Sequence, residues 1–207
     1  MRNLDNYIKN RENPFECMSA EAKYWIGYIF ADGHLVFDET TRAYQISLFS
    51  KDEPIMRKFQ EFLGERAKFY KRPTGICQVA YNSKPVTKWF METFNISQDK
   101  SLNLNPDITL DWDIVHGYFD GDGSVRLRGN HYECKFTTGS EAWAKRLQEF
   151  LKEYEIESMI KEKGNAFDIN IYKKSSVALL FANMYASNTS RLEYKYNRLV
   201  ALFGNKQ

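Results

Sequence analysis

A nine-residue segment occurs twice in this chain of 207 residues, and the repetition constrains the fold more than any other feature of the sequence. Residues 25–33 read Trp-Ile-Gly-Tyr-Ile-Phe-Ala-Asp-Gly, and residues 115–123, 90 positions later, read Val-His-Gly-Tyr-Phe-Asp-Gly-Asp-Gly. The tetrapeptide Gln-Glu-Phe-Leu at residues 60–63 recurs 88 positions later at residues 148–151. A single Asp-Gly pair would be weak evidence, but two matches in the same order at nearly the same spacing indicate a duplicated unit.

Each copy of the unit is predicted to have the same order of elements. Ser19 and Asp111 are suitable N-caps for the two helices that carry the repeated segments. Residue patterns predict the other elements, which are strands at 44–48, 76–81, 125–128, 134–136 and 167–172, and helices at 54–63, 86–94, 141–154 and 177–185. The order helix, strands, helix, strands, helix therefore occurs twice. The junction at residues 103–107 is short, so the halves are expected to pack directly on each other.

Small residues recur on one face of both repeated helices. Gly27 and Ala31 are four residues apart, as are Gly117 and Gly121, and this spacing places each pair on one helix face. A glycine inside a helix costs about 1 kcal/mol relative to alanine, so a packing reason is expected. The pattern predicts that the two helices pair more closely than the usual interaxial distance of about 8–10 Å.

Pairing of these helices about a pseudo-twofold axis would bring Asp32 and Asp122 together at their C-terminal ends. Helix C-termini carry partial negative charge and neighbouring carboxylates repel, so the arrangement favours a bound divalent cation. Oxygen ligands point to Mg²⁺ rather than zinc, and the carbonyls of Ala31 and Gly121 could add further oxygens. A cation held there could activate water and stabilise the oxyanion that leaves a phosphodiester. The alternative is that both aspartates only form turns that end helices.

Composition excludes several classes of protein. Aromatic residues make up 15% of the chain and the formal net charge is +2, which excludes a disordered chain. The sequence has no uncharged apolar stretch of about 18 residues, so no membrane span or membrane partner is expected. The first residues lack the apolar run of a secretory signal, and the expected location is the cytoplasm, or an organelle if the gene lies in an organellar intron, but not the exterior.

Cysteines and basic residues add two further expectations. Cys17, Cys77 and Cys134 are far apart in the sequence and form no Cys-x-x-Cys pair, so they are predicted to be reduced core thiols. Residues 66–88 contain six basic residues and no acidic one, interleaved with aromatic side chains. This run is compatible with a nucleic-acid partner, and equally with an ordinary solvated surface.

The segments at 25–33 and 115–123 resemble the paired motifs of single-chain LAGLIDADG homing endonucleases. The resemblance extends from about Ser19 to Phe203, with repeats at 19–104 and 105–207 and an N-terminal extension at 1–18. It implies an α+β fold with a duplicated αββαββα unit, in which the motif helices form the interface and two antiparallel sheets form a DNA-binding saddle. Phe30 replaces the first acidic position of the motif, which Asp120 keeps.

The resemblance also implies an activity, a cofactor and partners. The family activity is site-specific, divalent-metal-dependent cleavage of both DNA strands across the minor groove, which leaves short 3′ overhangs. The implied metal is Mg²⁺, with Mn²⁺ or Ca²⁺ as substitutes, at Ala31, Asp32, Gly121 and Asp122. The implied partner is double-stranded DNA with a long asymmetric target, bound by a monomer, with host intron RNA as a further candidate. An RNA-splicing maturase and a binding-only DNA regulator remain the alternatives on the same fold.

The family keeps basic residues beside the scissile phosphates, and the resemblance assigns them here as catalytic groups together with Asp32 and Asp122. Lys100 fits this position in the first repeat. In the second repeat an ungapped alignment selects Arg191, whereas the local sequence pattern selects Lys195, and the sequence leaves both open.

Strand alternation predicts which side chains face DNA. Side chains expected to point outward, opposite Val125 and Leu127 and at the corresponding positions elsewhere, are Gln45, Ser47, Ser124, Arg126, Arg128, Lys135 and Thr137. Further candidates by strand or loop location are Lys71, Arg72, Gln78, Lys161, Lys163, Lys173 and Lys174. Arginine and glutamine suit guanine and adenine edges, while loop lysines more often contact phosphates.

Overall fold

The first half of the chain folds as one helix, two strands, a second helix, two more strands and a third helix. The computed structural model describes residues 13–128, 131–187 and 189–203, apart from the side chains at 127, 128, 131 and 132. The elements are α1 (Ala20–Asp32), β1 (His34–Asp38), β2 (Ala43–Ser50), α2 (Glu53–Leu63), β3 (Lys68–Lys71), β4 (Cys77–Asn82), α3 (Lys84–Phe94) and the one-turn helix α4 (Lys100–Asn103).

The second half repeats this order. Its elements are α5 (Trp112–Asp122), β5 (Gly123–Arg128), β6 (His131–Thr138), α6 (Glu141–Glu153), β7 (Met159–Lys163), β8 (Ala166–Ile171), α7 (Lys174–Met184) and α8 (Glu193–Phe203). The predicted order of elements is confirmed. Strands β1, β3 and β7 and helices α4 and α8 were not among the segments predicted from residue patterns. No helix among the described residues is long and apolar enough to cross a bilayer.

The two sheets have the same topology. The strand orders are β1-β2-β4-β3 and β5-β6-β8-β7, and every pairing is antiparallel. Helices cover one side of each sheet: α2 and α3 pack on the first, and α6 and α7 on the second. The side of each sheet away from these helices is called its open face below. The predicted duplicated α+β fold with two antiparallel sheets is confirmed.

Side-chain caps fix where the two central helices begin. The Ser19 hydroxyl accepts a hydrogen bond from the backbone N–H of Ala22 at 3.2 Å, and the Asp111 carboxylate accepts one from Ile114 at 3.0 Å. Each cap satisfies one of the N–H groups that the first turn of a helix leaves unpaired. Both predicted N-caps are confirmed.

Helices α1 and α5 are in backbone contact through their glycines. A Cβ atom added to Gly27 would fall on the carbonyl oxygen of Ile114, and one added to Gly117 would fall on that of Tyr24. Tyr24 and Ile114 occupy equivalent positions in the two repeats, so the contact is reciprocal, as a local pseudo-twofold axis requires. Gly121 lies against the side chain of Ala31, where an added Cβ would fall on the Ala31 methyl group. The predicted close pairing of the two helices is confirmed.

The core extends beyond the repeated unit at the N-terminal side. Phe15, which lies within the predicted extension, is fully buried and packs edge-on against Phe62 and Phe90. Cys77 and Cys134 are buried free thiols, and burial raises the pKa of Cys134 to about 12. Cys17 was also predicted to be a core thiol, but this is wrong because the turn before α1 leaves it exposed.

Candidate functional site

Two carboxylates meet where the central helices end. Asp32 is the last residue of α1 and Asp122 the last residue of α5, and the contact of Gly121 with Ala31 brings these ends together. Burial raises the pKa of Asp32 above its ordinary value. Burial and the negative charge of Asp32 together raise the pKa of Asp122 to about 6. Each helix also directs its negative end at this point, which adds to the repulsion between the two carboxylates.

Two buried lysines flank the carboxylates in matching positions. Lys100 is 4% exposed, and its ammonium donates to the carbonyl oxygens of Phe30 at 2.9 Å and Ala31 at 3.1 Å. Lys195 is 2% exposed and donates to those of Phe119 and Asp120, both at 2.7 Å. Each lysine therefore caps the last turn of the helix in its own half, where carbonyl groups lack helical partners.

Burial lowers the pKa of both lysines, and nearby carboxylates partly oppose this effect. The pKa of Lys100 falls to about 8 by burial, against the charges of Asp122 and Asp32. The pKa of Lys195 also falls to about 8 by burial, against the charges of Asp120, Asp32 and Asp122. Perturbed acids and bases gathered in one place are typical of functional sites.

Arg191, the other candidate in the second repeat, lies apart from this cluster. Its Nε donates to Glu193 at 3.0 Å, and its guanidinium lies 3.7 Å from the centre of the Tyr196 ring. Lys100 and Lys195 are 95 positions apart, whereas the motifs are 90 apart, so an ungapped alignment misses the equivalence. The structure thus brings Lys195, and not Arg191, to the carboxylates.

The donors at this site suit a hard divalent cation. Across the described parts of the chain, no group of three or more His, Cys, Asp or Glu side chains could hold a metal ion. Magnesium needs fewer, because it commonly binds through one or two carboxylates together with water and phosphate oxygens. Asp32 and Asp122 supply such a pair, and burial together with the negative charge of Asp32 raises the pKa of Asp122, against the opposing charges of Lys100 and Lys195. The carbonyl oxygen of Ala31, predicted as a ligand, accepts a hydrogen bond from Lys100.

Two further acidic residues, the buried Asp120 and the partly buried Glu21, form hydrogen-bond networks that the sequence analysis did not assign. The Asp120 carboxylate accepts from the Tyr24 hydroxyl at 2.9 Å and from the Leu192 N–H at 2.8 Å. The Glu21 carboxylate accepts from the indole of Trp25 at 2.7 Å and from the N–H of Ser190 at 2.8 Å. The available signal was an acid inside an apolar helix, since such groups are buried only with partners.

On the first sheet, the open face carries part of the predicted set. Gln45 and Gln78 lie on it, and Gln45 donates to Asn82 at 2.8 Å. Ser47 points to the same side but is fully buried, between His34 and Ala80 on the neighbouring strands, so its predicted exposure is wrong. Arg72 is exposed, and its guanidinium lies 5.5 Å from the ring of Phe49, which shares this face.

Lys71, a candidate for DNA contact by its location in the chain, lies on the helix side of the first sheet and not on its open face. It pairs across the strands with the buried Cys77, and its ammonium contacts Glu53 of α2 at 2.8 Å. A shift of one position in a strand exchanges the two faces, and β3 has only four residues to define its phase. Lys68 and Tyr70 of that strand reach the open face instead, paired with Ala80 and Gln78, and sequence analysis missed both.

On the second sheet, most predicted residues reach the open face, opposite the buried Val125, Cys134 and Phe136. The residues on this face are Ser124, Arg126, Lys135, Thr137, Lys161 and Lys163. Lys135 and Thr137 both bond to Asp168, at 2.9 and 2.8 Å, and Arg126 lies 3.9 Å from Glu133. Neither acid was predicted.

The remaining candidates lie elsewhere. Lys173 and Lys174 lie beyond the end of β8 at the start of α7, where Lys173 forms an ion pair with Glu157. The side chain of Arg128 lies outside the described residues. His116, Tyr28 and Tyr118 are buried in the core.

Comparison with protein families finds related domains in both halves. Residues 113–204 match the LAGLIDADG-like domain, and residues 21–77 match the WhiA LAGLIDADG-like domain. No curated protein matches the chain significantly.

Solved structures with the same fold cover nearly the whole chain. The LAGLIDADG meganuclease I-AabMI bound to uncleaved DNA shares 10% identity at a TM-score of 0.66, over 90% of this chain and 89% of that one. The homing endonuclease I-WcaI bound to its DNA recognition sequence shares 14% at 0.64, over 95% and 92%. I-SmaMI bound to an uncleaved DNA target in the presence of calcium ions shares 12% at 0.62, over 94% and 93%. At these identities the likeness establishes the fold.

Proposed function

This chain belongs to the LAGLIDADG family as a member with two repeats, and we propose that it is a site-specific, divalent-metal-dependent DNA endonuclease. The observation that carries the proposal is the cluster at the C-terminal ends of α1 and α5. Two carboxylates, Asp32 and Asp122, and two buried lysines, Lys100 and Lys195, lie together there. Neighbouring carboxylates at two helix C-termini destabilise the folded protein. The same carboxylates can bind a divalent cation that promotes phosphodiester cleavage. The similar structures that contain a DNA target support the choice of substrate.

In the proposed mechanism, Asp32 and Asp122 would hold a divalent cation, with the backbone of Ala31 and Gly121 close by. Their oxygen donors would suit Mg²⁺. When bound, the metal would supply an activated water and stabilise the departing oxyanion. A solved relative whose structure was determined with calcium ions supports a divalent cation in general.

Lys100 and Lys195 are proposed to stabilise the negative charge that develops on the scissile phosphate during cleavage. Each ammonium is fixed by two carbonyl oxygens at the end of a motif helix, so its position is set before DNA binds. A cation held near the scissile phosphate stabilises negative charge that develops on it, typically by a few kcal/mol. Because each repeat supplies one such lysine, we propose that each serves one DNA strand, with cleavage across the minor groove and short 3′ overhangs.

The open faces of the two sheets are proposed to contact the DNA. Basic and amide side chains on them suit phosphate and base edges. The two open faces carry different residues, which suits a long asymmetric DNA target bound by one monomer. The proposed location is the compartment that contains the target DNA. Intron homing is the proposed biological context.

A binding-only DNA regulator is the second candidate. The two halves match different varieties of LAGLIDADG-like domain, so the chain is not a plain tandem of one variety. Host intron RNA would be the partner if the chain were instead a maturase.

Cleavage of a randomised duplex pool tests the proposal directly. We expect the purified protein to cut a subset of duplexes with Mg²⁺ and none with EDTA. Asp32→Asn and Asp122→Asn should each reduce cutting by about a thousandfold or more while binding persists in Ca²⁺. Selective binding without any cutting would support the regulator, and tight binding of intron RNA without cutting would support the maturase.

A further inference from the structure

The segment that leads into α8 is attached to both central helices. Glu21, on α1, accepts hydrogen bonds from the N–H of Ser190 at 2.8 Å and from its hydroxyl. Asp120, on α5, accepts from the N–H of Leu192 at 2.8 Å. The carbonyl of Leu192 then accepts from the N–H of Lys195 at 3.1 Å. A short chain of bonds therefore joins α1 of the first half to the lysine of the second half.

Lys100, the lysine of the first half, is in turn connected to the second half. Lys100 begins the one-turn helix α4, and Leu104 follows directly after it. The hydroxyl of Ser140, which follows the second sheet's strand β6, donates to the carbonyl of Leu104 at 2.7 Å. Beside it, a Cβ added to Gly139 would fall on the carbonyl of Ser101, so α4 rests directly on this backbone. These contacts join the second half to the lysine of the first.

The residues that form these bonds are largely shielded from solvent, so losing a bond would be energetically costly. Ser190 is 8% exposed, Ser140 is 2% exposed and Leu104 is 2% exposed. Polar groups that lose a partner in such surroundings are left unpaired away from water, which is strongly unfavourable. A one-turn helix such as α4 has little stability of its own, so its position depends on what packs against it.

We propose that each active-site lysine is positioned by the opposite half of the molecule. Glu21 positions Lys195 through Ser190 and Leu192, and Ser140 positions Lys100 through Leu104. The inference rests on the proposed function in taking these lysines as active-site groups. Its consequence is that neither half contains a complete site until the two halves are docked.

Lysine labelling tests the crossed arrangement in the full-length protein without DNA. The probe is an N-hydroxysuccinimide ester of acetate, with modification at Lys100 and Lys195 read by mass spectrometry. Glu21→Gln and Ser190→Ala should each raise the labelling rate of Lys195 about tenfold and leave that of Lys100 within about twofold. Ser140→Ala should do the reverse, so each variant is the matched control for the other.

Equal acceleration of both lysines, or of neither, would overturn the proposal. If Glu21→Gln fails to fold, Ser190→Ala carries the test, because it removes one hydroxyl and keeps the backbone N–H bond to Glu21. Global unfolding, followed by circular dichroism, separates a local opening from a general loss of stability.

Strand-resolved cleavage adds a functional readout. On a duplex that the wild-type protein selects and cuts from a randomised pool, Glu21→Gln should slow one strand about tenfold at unchanged affinity. Ser140→Ala should slow the other strand, and each variant should accumulate nicked product. Equal slowing of both strands would contradict the proposal. A wild-type protein that cuts no duplex would refute the proposed function, while the labelling result would still decide whether the lysines are positioned across the halves.

Discussion

The two sheets have identical strand order, yet their open faces differ in charge. Leu48 pairs with Val79 in the first sheet as Phe136 pairs with Ile169 in the second, so these helix-facing positions are equivalent. At neighbouring open-face positions the first sheet has Ser47 and Gln78, where the second has Lys135 and Asp168. Apolar side chains define the fold, and the opposite side of each strand is free to diverge. The duplication thus preserves a symmetric centre and carries two unlike outer surfaces.

The largest expected effect concerns the symmetric centre. Lys100→Met and Lys195→Met should each lower the rate of DNA cleavage by about a hundredfold, because each removes a fixed cation beside the carboxylates. Arg191→Met should change it by less than about threefold, since the guanidinium pairs with Glu193 at the surface. Single-turnover cleavage assays on a selected duplex would measure all three. A strong effect of Arg191→Met alone would break the symmetry inferred for the centre.

The helix contact should be equally intolerant on both sides. Gly27→Ala and Gly117→Ala each place a methyl group on a backbone carbonyl of the other helix, so we expect losses of about 2–4 kcal/mol in the free energy of unfolding. Glu149→Ala, on an exposed position of α6, is the control and should stay within about 0.5 kcal/mol. Urea unfolding would measure these values. A gain in stability from either glycine variant would contradict the close contact.

A pH effect distinguishes the centre from the rest of the molecule. The pKa of Asp122 is about 6 in the folded protein, above its ordinary value of 3.8. Between these values the folded state binds more protons than the unfolded state, so the free energy of unfolding of the metal-free protein should fall as pH rises, by about 2 kcal/mol for this group. Thermal or urea unfolding in EDTA from pH 4 to pH 7 would measure the slope, which Asp122→Asn should reduce. An unchanged slope in that variant would contradict a raised pKa of Asp122 in the folded protein.

The smallest effect tests the difference between the open faces. Lys161→Gln on the second sheet should reduce by about one the slope of log affinity against log salt concentration, if the lysine contacts a phosphate. Gln78→Ala on the first sheet should leave that slope unchanged and relax base preference at one position. Titrations at several salt concentrations, with a base-substitution series, would measure both. Identical responses would mean that the faces bind DNA in the same way.

The sequence sufficed for the features that depend on short-range pattern. Motif spacing, the N-caps Ser19 and Asp111 and the glycine faces all follow from local chemistry, and they predicted the duplicated fold and the meeting of Asp32 with Asp122. Helix α8 was missed because few of its residues are buried, Lys195 and Leu199 among them, so its apolar pattern is weak. The same omission left Arg191 and Lys195 undecided.

Errors on the sheets have a different origin. Alternation along a strand predicts which side of the sheet a side chain faces, but not how far neighbouring residues cover it. Ser47 therefore faces the predicted side but is buried. Strand β3 was not predicted, and its four residues are too few to show which side of the sheet each side chain reaches, so the position of Lys71 could not be assigned. The partly buried Glu21 has its partner far away in the chain, at Ser190, and no local sequence pattern reveals such a partner.

At the C-terminal ends of α1 and α5, the arrangement that suits cation binding lowers the stability of the metal-free protein. Two helices run side by side with their negative ends and two carboxylates in one place, so an amide at either aspartate would make the metal-free chain easier to fold. A lineage selected only for a stable DNA-binding scaffold could therefore exchange either residue with benefit. This sequence carries both aspartates, together with two lysines buried at the same point, and the proposed cleavage chemistry would account for that loss of stability.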